Sequence, residues 1–429
     1  MAFNMLCWLT AILTIVIVVN FLNEKIIKFP VEITLLVSGV LLGLIAWYVD
    51  SRYGIINGSL NRDNFFLNDY LMNGVLCFML FAGASRLRFA YLESQLSLVT
   101  ALSIVSTVVT SFVYGFLFYG ILKLAGIDFA LQYCLLLGAI IGPTDPIAAM
   151  SILHKIGLPS GTSLAIEGES LFNDGVGVAI FVVISGFITG QAGGNFFSIM
   201  ARELFGAVVL GLAFCVLSYF FFAETKDCYA RVCSSIVAVG GAYIFSDILG
   251  CSGAIASVIV GIFYATRVAK LEDIEGRDYV VFRTFWDAMD IILNDMLYVM
   301  IGLSIIDVRR FDHMLYFAMA AIAINLLARY IGVLFVALPF KTKLPDNYAP
   351  LPFTNLLTWA GLKGGLCVAL AMGTHPMLTP SVFNIILVCT MTIVLFTTCI
   401  QGITVGKFYL WQKPAENAKP LGKLNVVPR

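Results

Sequence analysis

Five carboxylate or amide residues, Asp145, Glu167, Glu169, Asn173 and Asp174, stand within one stretch, GPTDPIAAMSILHKIGLPSGTSLAIEGESLFNDGVG (142–177), that is otherwise largely apolar and flanked by apolar sequence. Carboxylate, amide and hydroxyl oxygens are what a hard cation takes as ligands, and a carboxylate also carries a proton. An ionisable side chain at bilayer depth is costly enough to mark a functional site by default. Two separate segments carry such residues here, and in one of them a proline directly follows the aspartate. The pattern points to an ion site inside a membrane.

Composition supports a membrane setting. Of the 429 residues 60% are hydrophobic and only 12% charged, with a mean hydropathy of +0.94, whereas soluble domains carry roughly 25% charged residues. A formal net charge of zero argues against a nucleic-acid partner. The ten cysteines stand singly in apolar runs, without CxxC or zinc spacing, and read as small core residues. Residues 1–22 hold no Lys or Arg, so the basic n-region of a signal peptide is missing and the stretch reads as a first spanning helix.

Apolar runs of about 20 residues predict an all-α polytopic protein of about thirteen transmembrane helices. They lie near 6–22, 30–49, 69–85, 95–123, 129–153, 162–188, 196–223, 229–249, 251–267, 283–306, 312–338, 353–374 and 380–404. The connections are short, and the tail from Lys407 to Arg429 is basic. With that tail in the cytoplasm, an odd count puts the N-terminus outside. Only Arg52, Arg62, Lys123, Arg309 and Arg310 then fall on the outer side, while Arg202, Arg329 and Lys363 sit within helices. Every other Lys and Arg is cytoplasmic, as the positive-inside rule expects.

An odd count also suggests two inverted six-helix repeats joined by a linker helix, an arrangement that places broken helices at matching positions. The fifth helix holds Gly142-Pro143-Thr144-Asp145-Pro146. The twelfth holds Gly361-Leu362-Lys363-Gly364-Gly365. Each interrupts an apolar run with Gly or Pro and sets one charge at the break, where freed backbone groups need partners.

Each residue also has a plainer reading. Pro143 and Pro146 could only kink a helix, which leaves Asp145 unexplained. Asp174, with Ser170 at i−4 on the same face, could be a protonated hydrogen-bond partner. Glu169 lies about 140° around the helix from Asp174, so it faces a different neighbour and suits an ion pair. Arg329, alone in INLLARYIGV, is the candidate cation unless it snorkels to the interface. Lys363 can offset helix-end dipoles or be a cytoplasmic loop residue. Asp247, Asp287, Asp290 and Asp295 are weaker candidates, the last three for lining a funnel. His154, His313 and His375 stand isolated at predicted helix ends and support no metal site.

Along nearly its whole length the chain resembles the monovalent cation–proton antiporters, in their NhaP-type sodium/proton exchanger branch. The motifs are GPTDPIAAM (142–150), EGESLFNDGVGVAIF (167–181), CSGAIASVIVGI (251–262), FWDAMDIILNDMLYVMIGL (285–303), LLARYIG (326–332) and WAGLKGGLCVALA (359–371). The resemblance implies crossing broken helices, the fifth and twelfth. It implies a core domain of helices 4–6 (95–190) and 11–13 (307–406), and a homodimer held through helices 1–3 (1–94) and 8–10 (226–306). A linker helix (191–225) and a cytoplasmic tail (407–429) complete the layout. The setting it implies is a bacterial inner membrane, and the lipid bilayer is the only other partner expected.

By the same resemblance Asp174 is the aspartate that binds cation and proton in turn, and Ser170 and Thr144 supply further oxygens to Na⁺. Asp145 orients the crossover through Asn173, and Glu169 with Arg329 forms a structural ion pair. Two positions depart from the family pattern: Ala82 stands where many relatives have an acid in the third helix, and Lys363 where the crossover usually has Arg. The activity implied is secondary antiport of Na⁺, and of Li⁺, against H⁺, without a cofactor. Burial raises an aspartate pKa and a nearby cation lowers it, so one site can serve both ions in competition while the core rocks between faces. Asn173 beside Asp174 leaves one titrating charge at that pair, which implies electroneutral exchange. K⁺/H⁺ antiport is the rival that the motifs leave open. A channel would need a filter, and an enzyme a nucleophile–base pair or metal-ligand set; the sequence offers neither.

Overall fold

The computed structural model of the chain describes residues 2–53, 75–86, 89–190, 195–225, 227–272, 276–304 and 315–412. Residues 69–74 of the third predicted span, Arg62, Arg88, Lys226, Arg309, Arg310, His313 and the tail beyond 412 lie outside that description. The architecture is all helical. In chain order the helices begin with α1 (Ala2–Leu22), α2 (Val31–Tyr53), α3 (Leu76–Arg86) and α4 (Phe89–Ala101). A π turn at Leu102–Ser106 carries α4 into α5 (Thr107–Leu124). Then come α6 (Leu131–Ile141), α7 (Ile147–Lys155), α8 (Ser160–Thr189), α9 (Phe196–Glu224), α10 (Cys228–Ile248), α11 (Gly253–Glu272) and α12 (Gly276–Leu303). The chain closes with α13 (Leu315–Ala337), α14 (Pro350–Ala360), α15 (Gly365–Gly373), α16 (Pro380–Phe396) and α17 (Gly402–Gln412). Among the described residues seven helices are long and apolar enough to cross a membrane, and four shorter apolar helices accompany them.

The apolar runs become helices because a chain in lipid must satisfy its backbone groups internally. Their outer faces stay apolar: Ile17 and Phe21 on α1, and Phe205, Val209, Val216 and Phe220 on α9, are all exposed. Inside, small residues let helices touch. On α2 a Cβ at Gly39 would lie 2.6 Å from the Val299 carbonyl of α12, and one at Gly302 would lie 2.6 Å from the Val40 nitrogen. Those distances are below van der Waals contact, so the two helices approach backbone to backbone, the packing expected where lipid supplies no hydrophobic drive. A separate aromatic cluster of Phe81, Phe222, Tyr264, Phe282 and Trp286 joins α3, α9, α11 and α12. The cysteines divide: Cys77, Cys134, Cys215, Cys367 and Cys389 are buried, but Cys7 and Cys233 are exposed and so are not core residues.

Two apolar runs are broken at their middle. Helix α6 stops at Ile141 and α7 restarts after Pro146, while α14 stops at Ala360 and α15 restarts at Gly365. Each half spans only about 14–17 Å at 1.5 Å per residue, roughly half the hydrocarbon thickness. The two gaps meet. Asp145 and Leu362 form an isolated antiparallel bridge, with the Asp145 amide donating to the Leu362 carbonyl at 2.9 Å.

Candidate ion-binding site

The crossing of the two extended stretches gathers most of the charged and polar residues picked out in the sequence. The broken helices leave carbonyls without helical partners, and Lys363 serves two just past the end of α6. Its ammonium donates to the carbonyls of Gly142 (3.2 Å) and Pro143 (3.0 Å). Lys363 is 1% exposed, and a cation at a helix C-terminus also complements the helix dipole. It lies in the extended break and not within a helix; its own backbone is held by the Thr397 hydroxyl, which accepts from the Lys363 amide at 3.1 Å.

Thr144 and Asp145 face in opposite directions, as successive residues of an extended segment do. Thr144 turns to α8. Its amide donates to Asn173 Oδ1 (3.2 Å), its hydroxyl accepts from Asn173 Nδ2 (2.7 Å), and the same hydroxyl lies 3.0 Å from Ser170 Oγ. Asp145 turns to α12. One carboxylate oxygen accepts from the Ile147 amide (2.9 Å) and the other from the Tyr298 hydroxyl (2.6 Å). The expected Asp145–Asn173 hydrogen bond is therefore not made: Asn173 spends its amide on Thr144, and Asp145 takes Tyr298 instead. The sequence carried no signal for Tyr298, 153 residues away on a different helix.

Asp174 projects, with Ser170 and Thr144, into a cavity of about 430 Å³. Among the described residues no protein group hydrogen-bonds to its carboxylate, in contrast to Asp145, both of whose oxygens are engaged. The cavity runs from Asp174 to the exposed Arg86 and His154, and Asp290 and Glu167 also line it. From α3 the wall is Leu76, Met79, Leu80, Gly83 and Arg86. Ala82 is buried in the aromatic cluster, so α3 offers no carboxylate to the cavity.

The charges at the mouth are paired. Arg86 donates to Asp287 (2.8 Å) and Asp290 (2.7 Å) on α12, and Asn294 braces Asp290 at 2.8 Å. Asp295 does not line the cavity; it accepts from Asn20 on α1 at 2.9 Å. His154 is not isolated: its Nε2 lies 2.8 Å from Ser163 Oγ and 3.3 Å from Glu167. Away from the cavity, Arg329 forks onto Glu169 through both terminal nitrogens, with Nη2 to Oε2 at 2.9 Å. Both residues are at most 2% exposed. The pair ties α13 to α8 behind the crossing.

A profile of the transmembrane sodium/hydrogen exchangers matches residues 10–411 of this chain. The chain belongs to the sodium/hydrogen exchanger family. Among its relatives, the Na(+)/H(+) antiporter NhaP of Pseudomonas aeruginosa is 31% identical over 421 residues, covering 94% of this chain and 96% of that protein. The Na(+)/H(+) antiporter NhaH of Halobacillus dabanensis is 29% identical, covering 89% of this chain and 91% of the other. In fold, this exchanger resembles the sodium proton antiporter of Methanocaldococcus jannaschii with a TM-score of 0.75 at 21% identity, over 94% of this chain and 97% of that one.

Proposed function

We propose that this family member exchanges Na⁺, and Li⁺, for H⁺ across a bacterial inner membrane. Asp174 binds the cation and the proton in turn. Ser170 and Thr144 add oxygens to the cation, and Asp145 with Asn173 shapes the crossing that presents them. The observation that carries this reading is the free Asp174 carboxylate, facing a cavity beside the Ser170 and Thr144 hydroxyls at the crossing of two broken helices. A carboxylate without protein donors can exchange a proton for a metal ion; one whose oxygens are both committed, such as Asp145, is better suited to hold structure.

The helices group into thirteen spans in two inverted repeats, with the breaks at 142–146 and 361–364 in corresponding places, the N-terminus outside and the C-terminus in the cytoplasm. Spans 4–6 and 11–13 form the core that carries the site. The packing of α13 against α5, α14 and α16 supports that grouping, as does the packing of α2 with α12 and of α3 with α11 on the other side. The second group holds a homodimer together. Rocking of the core against it carries Asp174 from one face to the other, one cation against one proton.

The test uses purified protein in proteoliposomes with an imposed pH gradient, following internal pH as Na⁺, Li⁺ or K⁺ is added. Na⁺ and Li⁺ are expected to dissipate the gradient through wild type and not through Asp174→Asn. Dissipation by K⁺ alone would replace the sodium reading with the potassium one, which the lack of an α3 carboxylate in the cavity favours. An Asp174→Asn protein that still exchanged would put the site elsewhere.

A further inference from the structure

The hydroxyl of Tyr298 sits where the two groups of helices meet. Tyr298 lies on α12, 2% exposed, and donates to Asp145 in the crossing at 2.6 Å. The approach is close on both sides of that bond. A Cβ at Gly364 would come within 2.6 Å of the Asp145 Cβ, and one at Gly365 would overlap the Leu297 side chain. Two successive glycines thus let the second broken helix press against Asp145 and α12 together. Both oxygens of the Asp145 carboxylate are committed in this conformation: the other is held by the Ile147 amide within its own segment. Of its two bonds, only the one from Tyr298 leaves the crossing.

We propose that Tyr298 is a positioning residue for ion exchange, a latch that holds Asp145, and with it the crossing, in the conformation in which the cavity reaches Arg86 and His154. The proposal rests on the rocking motion described above. If the core moves against α12, a hydrogen bond between Asp145 and Tyr298 cannot keep its length throughout the cycle, whereas the Thr144–Asn173–Ser170 bonds lie within the core and travel with it. The latch favours one facing state and does not contribute a ligand.

A hydrogen bond to a charged group made in one state only biases the equilibrium between states by about tenfold or more. Apparent affinity on each face scales with the fraction of protein open to that face, so the ratio of half-saturating Na⁺ on the two faces reports the bias directly. In oriented proteoliposomes, Tyr298→Phe is expected to keep exchange active while shifting that ratio about tenfold, weakening Na⁺ on the cavity face relative to the other. Asp145→Asn removes the charge but leaves an amide oxygen to which the Tyr298 hydroxyl can still donate, so it is expected to shift the ratio in the same direction by less, with no shift beyond that of Tyr298→Phe in the double variant. A ratio within twofold of wild type in both single variants overturns the latch. Equal weakening on both faces overturns it too, since it marks a static support. Wild-type vesicles without any exchange overturn the exchange reading, and the latch with it.

Discussion

At the scale of single residues, the site separates carboxylates by what they touch. Asp174 is open to the cavity, Asp145 is held from both sides, and Glu169 is sealed against Arg329. The last pair makes a sharp prediction. Removing one partner of a buried ion pair leaves an uncompensated charge and costs about 3–5 kcal/mol, while replacing both by neutral groups of similar size costs much less. Arg329→Met is therefore expected to lower the melting temperature in detergent well below that of the Glu169→Gln, Arg329→Met double variant. Equal melting temperatures for the two would show that the pair bears no stability role. Arg329→Lys is expected to fall between them and wild type, since it keeps the charge but loses the two-pronged contact.

Helix pairs depend on bare backbone at chosen points. Between α5 and α6, a Cβ at Gly115 would lie 2.9 Å from the Leu135 Cα, and one at Gly138 would collide with the Ser111 carbonyl. Both neighbours are backbone and cannot step aside. Gly138→Ala is expected to destabilise by about 1–3 kcal/mol through overpacking, seen as a lower melting temperature and reduced yield. Gly120 makes the control: it lies on α5 with nothing within 4 Å of its Cβ position, so Gly120→Ala should match or slightly exceed wild type. A Gly138→Ala protein as stable as Gly120→Ala would mean that the α5–α6 contact relaxes at little cost.

For the whole molecule, the charge carried per cycle follows from how many groups titrate at the site. Asn173 is neutral and is bonded to Thr144, which leaves Asp174 as the titrating member of the pair. One cation against one proton moves no net charge. A membrane potential imposed by a K⁺ diffusion gradient, with no Na⁺ or pH gradient, is expected to drive no Na⁺ uptake. Uptake that followed the potential would require a second charge in the cycle, and Lys363, buried at the crossing, is the first residue to test for it.

What could be read from the sequence was whatever depends on local composition and on motifs. Among the described residues the apolar runs reappear as helices, and the breaks fall at Gly142–Pro146 and Gly361–Gly364, because Pro and Gly interrupt a helix wherever the chain lies. The Glu169–Arg329 contact was foreseeable in the same way, since Arg329 stands alone in apolar sequence, Glu169 faces away from Asp174 around its helix, and a buried charge demands a partner. Side-chain direction in the breaks was a different matter. There a one-residue step reverses the face, so Thr144 takes Asn173 while Asp145 looks away to α12. No periodicity in the sequence tells which of the two points where. Tyr298, the Arg86 fork onto Asp287 and Asp290, and the His154–Glu167 contact likewise depend on how helices are rotated and stacked. Local sequence sets where a helix runs and where it breaks, but the partner of a buried polar group is chosen by the packing of helices distant in the chain, and that only the tertiary structure decided.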